Sequence, residues 1–597
     1  MKFLLTAINA KYIHSNPGVY SLKTFAEHQG GICREGQCLL PVQVEIAEYT
    51  INNQMEQILE DIFMRKPDII GISCYIWNVQ YALDLVRDIH KVLPDMDIWM
   101  GGPEVSFDAP ELLKKEPEIL GVMKGEGEET FAALLTAYGD LGCTVRQAMR
   151  DGKGVLVNLE TRLVRFWDSL SQIANLTWRM DTGEIKNQPL RPVMDMSQIP
   201  FLYPNLEGFE HRIVYYESSR GCPFSCSYCL SSIDKSVRFR ELELVKKELD
   251  FFIEKKVPQV KFVDRTFNCK KSHAMAIWSY IAEHDNGVTN FHFEVAADLI
   301  DQEELDLIRT MRPGLIQLEI GVQSTNPQTI AEIHRKMNLD EVRNVVAQIN
   351  AGHNVHQHLD LIAGLPYEDY ESFKRSFNDV YAMEPEQLQL GFLKVLKGSY
   401  MYEMAKEYDL VYRTLPPYEV LSTRWLPYCD ILRLKGIENM VEIYYNSRQY
   451  TCTLGLLVRE FPDAFTMFER MADYYNAHHH AGLSHSRLAK YEILHAFIEE
   501  ILDEQPGDGD REKELLKTYE DALTCDVYLR ENSKSRPAFA LDQAPYKNRI
   551  RELIPELRTL GTQVHVEVLR SGEVLLFDYR KKDALTKNAS VESIGRV

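Results

Sequence analysis

The sequence predicts an α/β protein with three consecutive parts. These are a doubly wound, Rossmann-like α/β domain, a partial TIM-like (β/α)6 barrel and a mostly helical C-terminal domain. Short β-branched runs alternate with amphipathic helical stretches in the first third, the alternation returns from residue 212, and helical periodicity replaces it after residue 400. We place the boundaries at 1–140, 141–205, 206–400 and 401–597, with 141–205 as a connecting β segment.

The composition is that of an ordinary globular protein. The 597 residues are 45% hydrophobic and 26% charged, which allows several hydrophobic cores. The 11 cysteines are sparse, and the opening apolar run is too short for a signal peptide or a membrane span. We therefore expect a reducing cytoplasm and no membrane. A net charge of -21 disfavours nucleic acid as a partner.

Five apolar runs predict the parallel strands of the N-terminal domain. They lie at residues 2–8, 43–48, 68–74, 96–100 and 118–123. Ligands of this architecture bind at the carboxyl ends of the strands. The loops at these ends contain hydrogen-bonding side chains and glycines that would let the backbone approach a large ligand closely. These positions are Ser73, Asn78, Gly101, Gly102, Gly125 and Gly127.

With these residues, the first 140 positions resemble a cobalamin-binding domain of the methionine-synthase type. In that family DIIGIS and the later Gly-Gly line the channel for the cofactor's nucleotide tail. The resemblance implies that the cobalamin-binding residues are Asn9, Tyr12, His14, Ser73, Tyr75, Trp77, Asn78, Gly101, Gly102, Gly125, Glu126 and Gly127.

His14 stands in the loop where that family carries a cobalt-ligating histidine. The loop reads YIHSNPG, so it lacks the family's aspartate and has one extra residue before the glycine. A ligand histidine needs a partner on its second nitrogen. A loop histidine that is hydrogen-bonded to backbone is therefore the competing interpretation.

A cysteine-rich loop begins the middle third. Residues 219–230 read SRGCPFSCSYCL and place Cys222, Cys226 and Cys229 within eight positions. An odd number of thiols argues against a local disulfide and for a metal. Three thiolates suit an iron–sulfur cubane whose fourth iron stays open to a substrate or cofactor. Zinc is the competing interpretation, with His211 or His273 as the fourth ligand.

Six apolar runs predict the strands of the partial barrel, and the cysteine loop follows the first of them. The runs lie at residues 212–219, 258–264, 291–296, 314–321, 357–363 and 387–393. In barrels of this kind the chemistry takes place at the carboxyl ends of the strands.

The spacing C-x-x-x-C-x-x-C, with Tyr228 before the last cysteine, resembles that of the radical S-adenosylmethionine (SAM) superfamily over about residues 210–400. FVDRTF, EIGVQSTNP and DLIAGLPYED are similar to the stretches that line the amino-acid end, ribose and adenine of SAM. Those stretches occur in the subfamily of the oxygen-independent coproporphyrinogen oxidase and the methylthiotransferases.

This second resemblance implies that Cys222, Cys226 and Cys229 hold a 4Fe-4S cluster. It implies that SAM is bound by Tyr228, Asp264, Glu294, Gln323, Ser324, Ile362, Ala363, Gly364 and Leu365. For Asp264, Glu294 and Gln323, a buried polar network inside the barrel is the competing interpretation.

The last third shows helices and one alternating stretch, QVHVEVLRSGEVLLFDYR, which predicts a hairpin with Ser-Gly at its turn. No catalytic signature occurs there. The region resembles the helical extension of unknown function that often follows cobalamin and radical domains in bacterial proteins.

Together the resemblances imply a B12-dependent radical SAM enzyme that uses a 4Fe-4S cluster, SAM and cobalamin. The implied activity is methyl transfer to an unactivated carbon of a small molecule, peptide or cofactor precursor through a 5'-deoxyadenosyl radical. A flavodoxin or ferredoxin would supply electrons. The alternatives are cobalamin-dependent rearrangement without methyl transfer, a tRNA methylthiotransferase-like enzyme, and a non-catalytic cobalamin or redox sensor.

Overall fold

The computed structural model describes residues 1–29, 32–34, 37–39, 42–151, 159–504, 509–554 and 561–597. The chain forms two compact units. The first unit comprises Met1–Glu294, Lys394–Glu407 and Val411–Val420, and the second comprises Val295–Leu393, Tyr408–Leu410 and Leu421–Val597. The division falls within the central region, and the domain boundaries inferred from the sequence stay predictions.

A seven-stranded sheet forms the N-terminal part of the first unit. The strands of this region are β1 (Lys2–Asn9), β2 (Ile32–Arg34), β3 (Gln37–Leu39), β4 (Gln43–Thr50), β5 (Ile69–Ser73), β6 (Asp97–Gly101), β7 (Gly121–Met123), β8 (Leu176–Arg179) and β9 (Ile185–Asn187). The sheet has the order β4-β1-β5-β6-β7-β8-β9, while β2 and β3 pair only with each other. The first five strands of the sheet are parallel and coincide with the five predicted runs.

Helices cover both faces of this sheet, which confirms the doubly wound fold. They are α1 (Pro17–Gln29), α2 (Met55–Arg65), α3 (Val79–Val92), α4 (Pro103–Ser106), α5 (Ala109–Lys115), α6 (Glu128–Leu141), α7 (Val145–Asp151) and α8 (Leu159–Ser171). Alternate residues of β1 enter opposite cores. Phe3 and Leu5 pack with α1, α6 and α8, whereas Leu4 and Ile8 pack with α2, α3 and α5.

The segment between residues 141 and 205 differs from the connecting β segment that the sequence predicts. It begins with the helices α7 and α8, and its strands β8 and β9 extend the first sheet in antiparallel orientation. Leu176, Thr177 and Trp178 are all buried, and Leu176 and Trp178 belong to the core of that sheet, so the segment completes the first sheet and is not a separate connection.

The six predicted barrel strands are all present, and helices follow the first five of them. The strands of the central region are β10 (Val214–Tyr216), β11 (Ser219–Arg220), β12 (Arg238–Phe239), β13 (Gln259–Phe262), β14 (Asn290–Val295), β15 (Ile316–Gln323), β16 (His356–Ala363) and β17 (Gln387–Phe392). The helices are α9 (Leu242–Glu254), α10 (Lys271–Glu283), α11 (Gln302–Thr310), α12 (Pro327–Glu332), α13 (Leu339–Asn350) and α14 (Tyr370–Tyr381).

Strand pairing in the central region is parallel within each unit. In the first unit β13 pairs with β10 and β14, and in the second unit β16 pairs with β15 and β17. The short strands β11 and β12 form a separate antiparallel ribbon. The expected partial (β/α)6 architecture is therefore confirmed, with the β11–β12 ribbon as an addition.

The C-terminal part is mostly helical, as predicted. After α15 (Tyr400–Glu403) and the short strands β18 (Val411–Tyr412) and β19 (Val420–Ser422), the chain forms α16 (Tyr428–Met440), a π-helical segment (Val441–Asn446), α17 (Thr451–Leu457), α18 (Ala464–Ala477), α19 (Arg487–Asp503), α20 (Gly509–Arg530) and α21 (Lys547–Leu553). Among the helices described, none has the length and apolar composition that crossing a membrane requires.

The predicted terminal hairpin is part of a three-stranded antiparallel sheet. Its strands are β20 (Val564–Val568), β21 (Glu573–Lys582) and β22 (Ala589–Arg596). β20 and β21 form the hairpin that the sequence predicts. Only Ala589 among the residues of β22 is buried. The strand has no alternation of buried apolar and exposed polar residues, so the sequence does not predict this strand.

A buried hydrogen-bond chain in the first sheet allows a test of this core. The Tyr138 hydroxyl donates to Asp97 Oδ2 at 2.9 Å and accepts from Trp99 Nε1 at 2.8 Å. Tyr138→Phe removes one hydrogen-bond partner from Asp97 and one from Trp99. We expect it to lower the free energy of unfolding by about 1–3 kcal/mol. Urea unfolding measures this loss, and Tyr428→Phe, at a side chain that is 50% exposed, should change it by less than about 0.5 kcal/mol.

Candidate functional site

The cysteine loop connects β11 to β12 in the first unit. Gly221 adopts a φ of 95°, and a Cβ at this position would lie 2.8 Å from the Ser236 carbonyl oxygen, so glycine is required there. The next residue, Cys222, donates its backbone N–H to the Asp234 carbonyl. Cys222 and Cys226 are 8% and 7% exposed. The loop therefore shields two of its three thiols from water.

Asp264 anchors the start of this loop through hydrogen bonds. Its fully buried carboxylate accepts the backbone N–H of Ser218 at 2.9 Å, the N–H of Ser219, and the hydroxyls of both serines at 2.9 and 3.1 Å. Burial raises the pKa of Asp264 to about 7. The structure thus favours the buried-network interpretation of Asp264. The side chain is fully buried, so none of its atoms is exposed for the predicted contact with SAM.

The loop has features that fit a cubane. The Ser227 hydroxyl is 1% exposed and has no hydrogen-bond partner among the described residues. Such a donor could bond a cluster sulfide, because hydrogen bonds to the sulfurs are a regular feature of iron–sulfur sites. Cys222 Sγ also lies 3.6 Å from the Thr266 hydroxyl.

In this structure the three thiols of the cysteine loop lie farther apart than a tetrahedral zinc ion would hold them. Tetrahedral zinc would bring its sulfur ligands to within about 3.8 Å of one another. Among the described residues, the one set of three His, Cys, Asp or Glu ligand atoms within 4.8 Å is that of Glu319, His358 and Asp360. His273 is engaged elsewhere, because its Nε2 lies 3.0 Å from the Ser218 hydroxyl.

Besides Asp264, two of the predicted SAM residues lie in the first unit with the cysteine loop. Tyr228 belongs to the loop itself and is partly exposed, and its neighbour Ser227 accepts the Met401 N–H through its carbonyl at 2.8 Å. Glu294 lies on β14 among the partly exposed positions of that strand. Both side chains stay accessible, as a ligand contact requires.

Gln323 in the second unit shows two signs of a binding residue. It adopts a left-handed φ of 73° at a bulge in the β15–β16 pairing, a strained conformation for a residue other than glycine. Its Oε1 atom is buried without a hydrogen-bond partner among the described residues. A ligand hydroxyl, such as one of a ribose, would satisfy this acceptor.

One of the remaining predicted SAM residues, Ser324, binds a carboxylate that sequence reasoning missed. Ser324 is fully buried and donates to Glu368 Oε1 at 2.6 Å, and Ser376 donates to the same oxygen at 2.8 Å. Burial raises the pKa of Glu368 to about 7. Of the other predicted SAM residues, Ala363 and Leu365 are buried, Ile362 is partly exposed, and Gly364 has a φ of 89°.

Exposed aromatic side chains occur at the carboxyl ends of the first sheet, where the cobalamin site is predicted. Tyr12 after β1 is 60% exposed, Trp77 after β5 is 43% exposed, and Phe107 after β6 is 45% exposed. Tyr75 stacks on Trp77 at 4.4 Å. Exposed apolar groups at one edge mark a ligand surface, and a corrin ring is large and flat enough to cover them. Phe107 was not predicted from the sequence.

The polar residues predicted for cobalamin instead shape these loops from inside. Asn78 is fully buried and donates to the Ile8 and Ser73 carbonyls at 2.9 Å. Asn9 donates to Glu48 at 2.9 Å, and the Ser73 hydroxyl accepts from Asn16 at 3.2 Å. Their assignments to cobalamin stay predictions.

His14 is engaged with the central region of the first unit. Its Nδ1 lies 2.6 Å from the Tyr215 hydroxyl, and its backbone forms a parallel bridge with Ile213. The partner is thus a tyrosine side chain and not the backbone carbonyl of the competing interpretation. Burial lowers the pKa of His14, which favours the neutral ring.

The predicted glycines serve close backbone packing. Gly102 has a φ of 106°, and a Cβ there would lie 2.5 Å from the Cys74 carbonyl oxygen. A Cβ at Gly127 would meet Leu22 at 2.9 Å, and Gly125 has a left-handed φ of 62°, whereas a Cβ at Gly101 would make only ordinary contacts. Gly102 is therefore explained by the neighbouring loop and needs no ligand.

A strap of residues 394–420 contacts both predicted cofactor regions of the first unit, and its residues 394–407 and 411–420 belong to that unit. Met401 binds the cysteine loop through its N–H, as described above. Lys397 Nζ lies 2.9 Å from Asp108 beyond β6, and the Tyr418 hydroxyl donates to Glu104 in the same region. The strap thus joins the cysteine loop to the end of the first sheet.

Comparison with known families agrees with this geometry. The B12 binding domain model matches residues 4–135 and the Radical SAM superfamily model matches residues 216–380. The chain belongs to the B12-dependent radical SAM enzymes. A third model, that of a protein of unknown function (DUF4080), matches residues 406–581.

Individual relatives of this B12-dependent radical SAM enzyme are distant. Over 369 residues it is 26% identical to the cobalamin-dependent radical SAM methyltransferase TokK of Streptomyces tokunonensis, covering 59% of this chain and 50% of TokK. The chain thus spans half the length of that relative.

Two solved structures share the fold of this B12-dependent radical SAM enzyme. The methyltransferase TsrM from Kitasatospora setae, with cobalamin and a 4Fe-4S cluster bound, has a TM-score of 0.53 at 16% identity and covers 69% of this chain and 79% of TsrM. The radical enzyme OxsB, with aqua-cobalamin and SAM bound, has a TM-score of 0.55 at 14% identity and covers 94% of this chain and 81% of OxsB.

Asp264→Asn tests whether the buried carboxylate holds the cluster loop. An amide would point its NH2 group at donors that the carboxylate now accepts, so the loop should lose its anchored start. We expect reconstituted protein to retain less than about one iron per chain, against about four in the wild type. Iron analysis measures this change. The equally buried Asp97→Asn in the first sheet should keep its iron, and full iron in Asp264→Asn would contradict the role.

Proposed function

We propose that this chain is a B12-dependent radical SAM methyltransferase. It transfers a methyl group to an unactivated carbon of a small molecule, peptide or cofactor precursor. TokK and TsrM, both methyltransferases, support methyl transfer as the reaction class.

One observation carries the proposal. The cysteine loop and the Gly125–Glu128 loop of the B12-binding domain lie in the same compact unit and share an arginine, Arg220, which pairs with Glu128 at 3.0 Å. The two predicted cofactor sites are therefore neighbours. A methyl transfer that needs a radical at carbon and a methyl group on cobalt requires this proximity.

The chain's own residues hold the cofactors and exclude water. Cys222, Cys226 and Cys229 would hold the cluster, and Gln323 Oε1 would accept a hydrogen bond from SAM. When bound, the cofactors supply hydrogen abstraction and the transferable methyl group. The protein contributes burial of the thiols and a fixed separation between the two sites.

The sheet face in the second unit supports a polar substrate. Along β15 the residues Ile316, Leu318, Ile320 and Val322 are buried, while Gln317, Glu319 and Gln323 are partly exposed. Glu319 stands beside His358 in the strand register, and His358 Nε2 lies 3.0 Å from Asp360. Carboxylate and imidazole groups bind hydrogen-bond donors, so a substrate with amine or hydroxyl groups fits this face better than a hydrocarbon.

Two further parts of the proposal concern the cellular setting. We propose a low-potential electron donor such as flavodoxin or ferredoxin, because the cluster must be reduced before each hydrogen abstraction. The thiols of the cysteine loop require a reducing compartment, and we propose the cytoplasm.

An anaerobic assay with reconstituted cluster, SAM and hydroxocobalamin tests the proposal. Under dithionite we expect 5'-deoxyadenosine. With substrate present, S-adenosylhomocysteine should also form, and the product should gain the mass of one methylene unit. Cys222→Ala, Cys226→Ala or Cys229→Ala removes one iron ligand and should abolish deoxyadenosine formation.

The control for these variants is Cys429→Ala. Cys429 is an exposed free thiol, so its loss should leave deoxyadenosine formation unchanged. Absence of deoxyadenosine in the wild type would refute the radical reaction and favour a sensor. Product without a mass gain would favour rearrangement.

A further inference from the structure

A charged cluster lies between two loops of the first unit. One is the Gly125–Glu128 loop of the B12-binding domain, called here the cobalamin loop, and the other is the cysteine loop. It consists of Glu126, Glu128, Glu217, Arg220, Asp234 and Arg238. Glu126 and Glu128 come from the B12-binding domain, and the other four side chains flank or belong to the cysteine loop. The cluster therefore spans the boundary between the two predicted cofactor sites.

Arg220 has the central position in this cluster. Its guanidinium binds Glu217 in two places, with Nε at 3.0 Å and Nη2 at 2.7 Å. It also reaches Glu128 at 3.0 Å and Glu126 at 3.3 Å. Only Gly221 separates Arg220 from the cluster ligand Cys222. A movement of this arginine would therefore move the cysteine loop.

Arg238 provides the second connection. It stands directly opposite Arg220 in the β11–β12 ladder. Its Nη1 lies 2.6 Å from Glu126 and its Nη2 lies 2.6 Å from Asp234. The Asp234 carbonyl in turn accepts the Cys222 N–H. Both ends of the cysteine loop are thus tied to Glu126.

Burial increases the free-energy cost of breaking these ion pairs. The side chains of Glu128, Arg238 and Arg220 are only 6%, 13% and 20% exposed. Four carboxylates share two guanidinium groups, so removal of one guanidinium leaves an excess of buried negative charge. Lysine cannot replace Arg220, because a single ammonium cannot bind several carboxylates in the planar fork geometry of arginine.

We infer that Arg220 is a positioning residue that fixes the iron–sulfur loop against the cobalamin loop, with Arg238 as its second support. The inference rests on the proposed function in one respect, since it requires that both cofactors bind. It assigns Glu126 to this tie, where the resemblance to cobalamin-binding domains implies a contact with the cofactor.

The separation of the two metal sites provides the test. Holoprotein with a reconstituted cluster and hydroxocobalamin is reduced with dithionite, and pulsed EPR measures the distance between Co(II) and the reduced cluster. The wild type should show one narrow distance distribution. Arg220→Gln should broaden it and weaken hydroxocobalamin binding about tenfold, the scale of a lost supporting contact. Arg220→Lys should give an intermediate breadth.

A matched control removes an ion pair of the same kind elsewhere. Arg87 binds Glu116 with two hydrogen bonds, at 3.1 and 2.6 Å, within the B12-binding domain. Arg87→Gln should therefore keep the wild-type distance distribution. If Arg220→Gln fails to fold, Glu128→Gln removes the same tie from the other side and should also broaden the distribution.

An unchanged distribution in folded Arg220→Gln or Glu128→Gln would overturn the inference. The measurement needs no substrate or turnover, so the proposed function can fail separately. Bound cofactors with the expected distances but no methylated product would refute methyl transfer and leave the positioning role intact. A wild type that binds no cobalamin would overturn both.

Discussion

The candidate site depends on one buried carboxylate. Asp264 accepts hydrogen bonds from the backbone and hydroxyl groups of Ser218 and Ser219, and these residues lead directly into the loop that carries the three cysteines. A loop of this kind has no regular structure of its own to fix it, so its thiols can face one cluster only if its entry is held. The barrel contributes that constraint through the end of β13. Every later feature of the site presupposes this fixed entry.

The second constraint is electrostatic. Arg220 and Arg238 extend from the β11–β12 ribbon and pair with Glu128 and Glu126 of the B12-binding domain. The strap of residues 394–420, which follows the last barrel strand, also contacts both the cysteine loop and the B12-binding domain. His14 adds a third connection through the Tyr215 hydroxyl. Three separate ties argue for a fixed arrangement within the first unit and against two loosely linked domains. A fixed arrangement is what two cofactors acting on one substrate require.

Much of the fold could be predicted from the sequence, because parallel strands buried on both faces appear as continuous apolar runs. The three cysteines of the loop could be proposed as cluster ligands from their spacing alone. The buried network of Asp264 was predicted as an alternative to SAM binding, whereas Glu368 was not predicted, since each depends on partners about 45 positions away in the chain. The strands β8 and β9 were assigned to a connecting segment because antiparallel extension of a sheet leaves no signal in local periodicity. Asn78 was predicted as a ligand contact, but a polar residue at a strand end can equally fold its own loop.

Asp264 and Glu368 have an energetic feature in common. Burial raises both carboxyl pKa values to about 7, well above those of an unfolded chain. A raised pKa means that the folded state binds the proton more tightly, so each contribution to stability is complete below about pH 4 and is lost as the pH rises toward 7. At neutral pH the burial of each ionised carboxylate therefore costs stability, and the hydrogen bonds from the serine groups offset part of that cost. Each sits at a strand's carboxyl end and holds serine groups beside a predicted cofactor region. Removal of either carboxylate would leave buried serine donors without an acceptor, so each acid is needed to hold its loop although its ionised form is costly to bury.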